Sequence, residues 1–161
     1  MRNVAVKKTE KKGKGVFALR DFKKGEFILR RKKGKIFKES EIPHPWTGKW
    51  IYLDKIGEGK FELGRSPDKY FNHSCNPNAY VKNRKIFTIK EIKKGQEITF
   101  DYALNNDYAS KAKERCHCGS RNCRKFYPGR FFDLGKKQQK KYLHYLDTWF
   151  KKKYRKKLIK L

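Results

Sequence analysis

Apolar and polar residues alternate along this chain in short runs that glycines interrupt. The runs "VAVKK" (4–8), "GVFAL" (15–19), "EFILRR" (26–31) and "KWIYLD" (49–54) read as strands. So do "KFELG" (60–64), "AYVKN" (79–83), "KIFTI" (85–89) and "EITFDY" (97–102). Each is rich in β-branched or aromatic residues, which fit a pleated, half-buried surface. Residues 39–48, with two prolines, and the polar stretch 103–115 read as loops. The pattern predicts a mainly β domain.

Two segments echo each other. "RDFKKGEFI" (20–28) and "KEIKKGQEI" (90–98) share the order basic, acidic, apolar, Lys, Lys, Gly, then strand. The glycine is expected at the positive-φ position of a turn entering the strand. One turn recipe used twice explains this better than a long repeat.

After residue 130 the period changes. Leu143, Leu146, Phe150, Tyr154 and Leu158 recur at steps of three or four, which predicts one amphipathic helix. Its apolar stripe is expected to pack on the domain, and its other face carries lysine and arginine. That face is either a solvated surface or an arm for nucleic acid or a membrane surface.

Composition sharpens this picture. The 161 residues carry a net charge of +28, which favours polyanionic partners, although lysine on every solvated face would give the same number. Residues 130–161 alone hold twelve Lys/Arg against Asp133 and Asp147. No run of about 18 apolar residues is present, so no membrane span is expected. The opening "MRNVAVKKTEKKGKG" lacks the apolar core of a secretory signal, so an intracellular protein is expected.

An intracellular setting argues against disulfides for the four cysteines, Cys75, Cys116, Cys118 and Cys123. "CHCGSRNC" (116–123) places three thiols in eight residues, a compact metal knuckle for zinc, which takes four ligands in tetrahedral array. The fourth ligand is Cys75, His73 or His117. His117 sits between two ligands and should point away. Cys75 is favoured because all four cysteines are then used.

Cys75 belongs to "YFNHSCNPNA" (70–79), where Asn72, His73, Ser74 and Cys75 stand together. Neighbouring side chains on an extended segment face opposite ways, so a hydrolytic nucleophile–base pair is disfavoured. "KKGKGVFAL" (11–19) carries a G-x-G before a strand without the helix and third glycine of a dinucleotide fingerprint. Taken alone it is a turn.

"KGKGVFA", "FNHSCNPNA", "GQEITFDY" and "CHCGSRNC" occur in that order. In this the chain resembles the SET-domain family of protein-lysine methyltransferases with its post-SET zinc-binding motif, over residues 4 to about 126. The resemblance implies small curved β-sheets around a pseudoknot, a rare case of threading. It implies a SET domain over 1–105, a post-SET zinc-binding segment over 106–130 and the basic C-terminal helix over 131–161. S-adenosyl-L-methionine would be the methyl donor. Backbone at Gly13, Lys14 and Gly15 would meet its methionine end, Asn72 and His73 its adenosine, and His117 would close over the adenine. One structural Zn2+ would sit on Cys75, Cys116, Cys118 and Cys123.

Tyr102 matches the active-site tyrosine, while Asp101 is expected to be structural. Phe100 stands where the family varies between Phe and Tyr, and Phe implies methylation beyond the first step. The partner would be a lysine-bearing protein, histone, histone-like or ribosome-associated, with nucleic acid engaged by the basic surface. The location would be cytoplasmic in a prokaryote or archaeon and nuclear or chromatin-associated in a eukaryote. A catalytically weak SET-like module that binds nucleic acid is the competing expectation.

The sequence departs from the family once near the site. Many members carry a tyrosine beside the glycine after the second strand, where "LRRKKGKI" has Lys32 or Lys33. An aromatic wall is therefore either missing or supplied by Tyr70, Tyr80 or Tyr108.

Overall fold

The structure, a computed structural model, describes residues 3–43, 48–107, 114–127 and 129–161. Twelve strands lie within these: β1 (Val4–Lys8), β2 (Lys14–Ala18), β3 (Phe27–Arg30), β4 (Ile36–Lys38), β5 (Leu53–Gly57), β6 (Lys60–Leu63), β7 (Asn72–His73), β8 (Ala79–Lys82), β9 (Lys85–Thr88), β10 (Glu97–Phe100), β11 (Glu114–Arg115) and β12 (Phe126–Tyr127). They form sheets in the orders β1-β2-β10-β7, β3-β9-β8, β4-β6-β5 and β11-β12. The mainly β expectation holds, and most of the runs found by alternation are strands.

One run differs. Residues Gly48–Tyr52 form a 3-10 turn, and the strand begins only at Leu53. Gly48 takes φ +56°, and the Tyr52 carbonyl accepts from Gly64 N at 2.9 Å. Aromatic content suits a half-buried turn as well as a strand, so composition alone places the strand too early.

The two echoing segments pair with each other. Phe22 N donates to Ile92 O at 2.8 Å, and Ile92 N returns the bond to Phe22 O at 3.0 Å. Gly25 and Gly95 take φ +79° and +87°, the turn position expected of them. The turns close alike: Lys23 N donates to Glu26 Oε2 and Lys93 N to Gln96 Oε1. Phe22 and Ile92 enter one core with Val16, Ile28, Ile86 and Ile98.

β10 lies at the centre. It pairs antiparallel with β2 (Ile98 opposite Val16) and parallel with β7 (Phe100 opposite His73). The chain leaving β7 then wraps it: Ser74 N donates to Phe100 O, and the Asn78 amide bonds Glu97 O and Thr99 N. The crossing of two distant segments therefore sits directly beneath Asp101 and Tyr102.

The C-terminal segment is helical but not one helix. α1 (Lys136–Tyr142), α2 (Thr148–Lys153) and α3 (Arg155–Leu158) follow one another with a break at Leu146 and Asp147. Asp147 is extended (φ -65°, ψ 152°), and its carboxylate caps α2 through Trp149 N. It also accepts from Asn83 N at 2.8 Å, while its own N donates to Asn105 Oδ1 at 2.6 Å. These ties stop the single helix that the period of three and four predicts. The apolar stripe is nonetheless buried: Leu146 and Phe150 join Ala103, Phe131, Leu134 and Tyr142 in a second core. Burial of each such side chain is worth about 1.5–3 kcal/mol, so the segment is held as part of the domain. Among the described residues no helix is long and apolar enough to cross a membrane.

Candidate active site

The β1–β2 hairpin carries the G-x-G. Gly13 takes φ +70° at the turn. Gly15 is needed for a different reason: a Cβ there would lie 2.6 Å from Glu97 Oε1, 2.8 Å from Thr9 Cγ2 and 3.1 Å from Asn72 Nδ2. That crowding is the site's frame. Asn72 Nδ2 donates to Lys14 O at 3.0 Å and to Glu97 Oε1 at 2.6 Å, and Lys12 Nζ pairs with Glu97 Oε2 at 2.8 Å. Gly13, Lys14, Gly15 and Asn72 thus lie together. Glu97 and Lys12 also belong to this frame, and in the sequence Glu97 is marked only by its place in the "GQEITFDY" block. A cavity of about 370 Å³ opens beside Lys14, lined by Val6, Lys7, Lys8, Lys14, Ser66 and Tyr70. Three ammonium groups and two hydroxyls make it a place for an anionic group.

His73 is buried, and its ring is engaged within the protein. Nδ1 accepts from Tyr102 N at 3.2 Å, and Nε2 lies 3.2 Å from Cys75 Sγ. These partners suit the neutral ring with its proton on Nε2. Burial pulls the His73 pKa down to about 4, against the attraction of Asp101. His73 therefore links the cysteine cluster to the backbone of Tyr102, a role its place in "NHSC" does not announce. Ser74 accepts from Asn76 N at 3.1 Å and closes a turn.

The four cysteines converge. Their sulfurs all lie within 4.8 Å of one another, and Cys75 Sγ is 3.9 Å from Cys116 Sγ. A tetrahedral site with metal–sulfur bonds of about 2.3 Å needs sulfurs about 3.8 Å apart, so the donor set fits. Backbone amides support the thiolates: Arg124 N donates to Cys75 Sγ at 3.3 Å and Lys125 N to Cys123 Sγ at 3.4 Å. Of the three fourth-ligand candidates, Cys75 is the one whose donor atom joins the group. His117 is exposed.

Tyr102 is 38% exposed, and its hydroxyl donates to Phe71 O at 2.8 Å. Phe71 and Phe100 stack with centroids 4.5 Å apart. Tyr70 precedes Phe71 on a short turn whose Asp68 accepts from Lys32 N at 2.9 Å. Of the three tyrosines named for the aromatic wall, Tyr70 is the one on a turn bonded to Lys32. It packs edge-on against Tyr52, and Lys69 Nζ lies 5.0 Å from both ring centroids. Tyr80 is instead buried against Phe87 and Tyr145, and Tyr108 lies outside the described residues.

The histone-lysine N-methyltransferase, H3 lysine-36 specific, of Candida glabrata is 35% identical over 145 residues, covering 80% of this chain and 20% of that protein. The protein of the same name from Saccharomyces cerevisiae is 33% identical over 144 residues, covering 79% and 19%. The chain spans about a fifth of the length of these curated relatives. Arabidopsis thaliana SUVH6, solved in complex with SAM, superposes with a TM-score of 0.61 at 26% identity, over 76% of this chain and 32% of that one. The methyltransferase domain of human SETMAR gives 0.61 at 22% identity, over 81% and 59%, a likeness of fold. A model of the SET domain matches residues 13–103, the span from the G-x-G hairpin to the residue after Tyr102, and by that match the chain belongs to the SET-domain family.

Proposed function

We propose that the chain is a protein-lysine N-methyltransferase, taking methyl from S-adenosyl-L-methionine to the ε-amine of a lysine in a histone, histone-like or ribosome-associated protein. The relatives named as histone-lysine methyltransferases and the SAM-bound neighbour support this. The observation that carries it is the Tyr102 hydroxyl held on the Phe71 carbonyl, one strand-crossing away from the Asn72–Lys14 frame.

S-adenosyl-L-methionine supplies an electrophilic methyl on a sulfonium. The chain has to provide a neutral amine with its lone pair aimed correctly. Deprotonating a lysine of pKa about 10.4 near pH 7.4 costs about 4 kcal/mol in water, and an apolar channel lowers that cost by disfavouring the ammonium. Phe71 and Phe100 are suited to line it. Tyr102 has committed its proton to Phe71 O, so its oxygen accepts from the amine N–H and orients the amine without acting as a base. Lys14 and its cationic cavity take the methionine carboxylate, with Gly13 and Gly15 permitting close backbone approach. Asn72 holds the cofactor loop, and a contact of His73 with the adenosine comes from its backbone, since its ring is engaged. His117 is free to close over the adenine from the exposed side. Cys75, Cys116, Cys118 and Cys123 hold one structural zinc. Phe100 places no hydroxyl beside the amine and so admits a methylated one.

The basic surface gives the enzyme a nucleic-acid partner carried by its substrate. Most lysines and arginines after residue 135 are exposed, among them Lys136, Lys140, Lys152 and Lys156. Burial and the charge of Lys82 together push the Lys151 pKa down. Like charges gathered this way favour a polyanion, and a basic substrate tail alone is poorly attracted. Binding to duplex DNA should weaken steeply with salt; salt-independent binding would refute this partner.

The direct test is calorimetric titration of S-adenosyl-L-methionine into the zinc-loaded chain. Saturable binding at one site is expected. Zinc retention with no cofactor binding would overturn the reading in favour of a zinc-dependent nucleic-acid module.

A further inference from the structure

Asp101 is fully buried and sits next to Tyr102. Four donors reach its carboxylate. Arg124 grips it with Nη2 on Oδ1 at 2.6 Å and Nη1 on Oδ2 at 2.7 Å. Ala103 N donates to Oδ1 at 3.0 Å. The fourth donor comes from α1: Tyr142 OH on Oδ2 at 2.9 Å. The backbone then folds tightly over this anchor, with Leu104 N donating to Asp101 O at 3.0 Å. Tyr102 stands on that turn, so its approach to Phe71 O is set by where the Asp101 carboxylate is held.

Three of the four donors, the two Arg124 Nη groups and the Tyr142 hydroxyl, lie beyond the residues the family model matches. Arg124 follows the last knuckle cysteine. Tyr142 belongs to the C-terminal segment, is 1% exposed and packs with Phe131, Leu146 and Phe150. We infer that Tyr142 is a positioning residue for methyl transfer, holding the Asp101 carboxylate, and through it the turn that carries Tyr102, from the C-terminal segment. This rests on Tyr102 being the active-site hydroxyl.

The chemistry of the contact supports it. Burial first, and then the negative charge of Asp101, push the Tyr142 pKa up, so the phenol stays a donor throughout the working pH range. A hydrogen bond to a buried charge is about twice as strong as one between neutral groups. Removing it leaves an acceptor without water to replace the donor, and the carboxylate can then turn about the Arg124 grip. The segment has a second, separate anchor that serves as the control. Tyr154 OH donates to Asp107 Oδ2 at 2.7 Å, and this bond does not touch Asp101.

The experiment uses the zinc-loaded full chain and variants Tyr142→Phe and Tyr154→Phe, with tritiated S-adenosyl-L-methionine and a total cell lysate as methyl acceptor. Each variant deletes one hydrogen-bonded hydroxyl from the same segment and keeps the ring. Tyr142→Phe should lower the maximal rate about tenfold, the rate equivalent of one hydrogen bond to a charge. Its KM for the cofactor should stay within about twofold of wild type. Tyr154→Phe should keep the wild-type rate, with a comparable change in Tm. A wild-type rate in Tyr142→Phe would overturn the inference while leaving the transferase reading intact. Equal loss in both variants would also overturn it, because general loosening of the segment then explains the effect. No transfer by the wild-type chain would overturn the transferase reading, and the inference with it.

Discussion

Cys75 and Cys116 stand 41 residues apart in the chain and bring their sulfurs to 3.9 Å. The contact staples the segment after β7 to the knuckle, and Arg124 N on Cys75 Sγ seals it. Cys75→Ser should therefore cost both metal and stability. A structural zinc contributes on the order of 10 kcal/mol to folding of a small site. Elemental analysis after dialysis against a chelator should find one zinc in the wild type and substoichiometric zinc in the variant. Full retention by Cys75→Ser would remove Cys75 from the ligand set.

Gly15 and Gly34 separate cofactor binding from folding. At Gly15 a Cβ meets side-chain ends, Glu97 Oε1 and Thr9 Cγ2, which can move aside at the expense of the Asn72 bonds. Gly15→Ala should fold and should bind S-adenosyl-L-methionine about tenfold more weakly by calorimetry, about 1.4 kcal/mol. At Gly34 a Cβ would fall 1.9 Å from the backbone oxygen of Leu63. Gly34→Ala should lose roughly 3 kcal/mol or more in urea unfolding.

Under the proposed function, Phe100 is the residue expected to set how many methyls the amine accepts. Its ring stacks on Phe71, whose carbonyl holds the Tyr102 hydroxyl. In that reading Phe100→Tyr would add a hydroxyl beside the amine, able to hold a water that blocks later transfers. Mass spectrometry of labelled protein should show di- or trimethyllysine with the wild type and monomethyllysine with the variant. A strictly monomethyl product from the wild type would contradict the role given to Phe100.

Asp107 ties three parts of the chain together. Lys55 Nζ of β5 lies 2.7 Å from Oδ1, while Tyr154 OH and Lys153 Nζ reach Oδ2 at 2.7 and 3.1 Å. Burial alone would raise the carboxyl pKa, but the bonds from Lys55, Tyr154 and Lys153 outweigh it and hold the pKa below 3.8. The ionised form is thus favoured in the folded state. The resulting stability is complete above the unfolded pKa and fades as pH falls through the lower folded one. Asp107→Asn should destabilise by about 3 kcal/mol at pH 7, and the gap to wild type should narrow below about pH 4 in thermal melts. A gap that widens on acidification would reverse the sign.

How much of this the sequence reveals follows from where each signal resides. Gly25 and Gly95 were legible because a turn recipe is local, and so was the knuckle, whose three cysteines span eight residues. Cys75 as fourth ligand could be argued by counting cysteines. The partners of Asn72 and Asp101 could not. Glu97 and Arg124 lie 25 and 23 residues away, and no local pattern encodes such a distance. The strand Asn72–His73 has two residues, too few for alternation to show. Leu146 and Asp147 mislead in another way. Their apolar period is right and the stripe is buried, but Asp147 is pulled out of the helix by Asn83 and Asn105. Tertiary hydrogen bonds override a helical period that is correct about the face and wrong about continuity.

The measurement closest to the central claim is the identity of the amino acid that receives the methyl group. Lysate protein labelled from tritiated S-adenosyl-L-methionine is hydrolysed and its labelled residues are separated, for the wild type and for Tyr102→Phe. The account predicts label in Nε-methyllysines with the wild type and its near-complete loss with Tyr102→Phe, at unchanged cofactor binding. Label on another residue, no label at all, or equal lysine labelling by both proteins would contradict it.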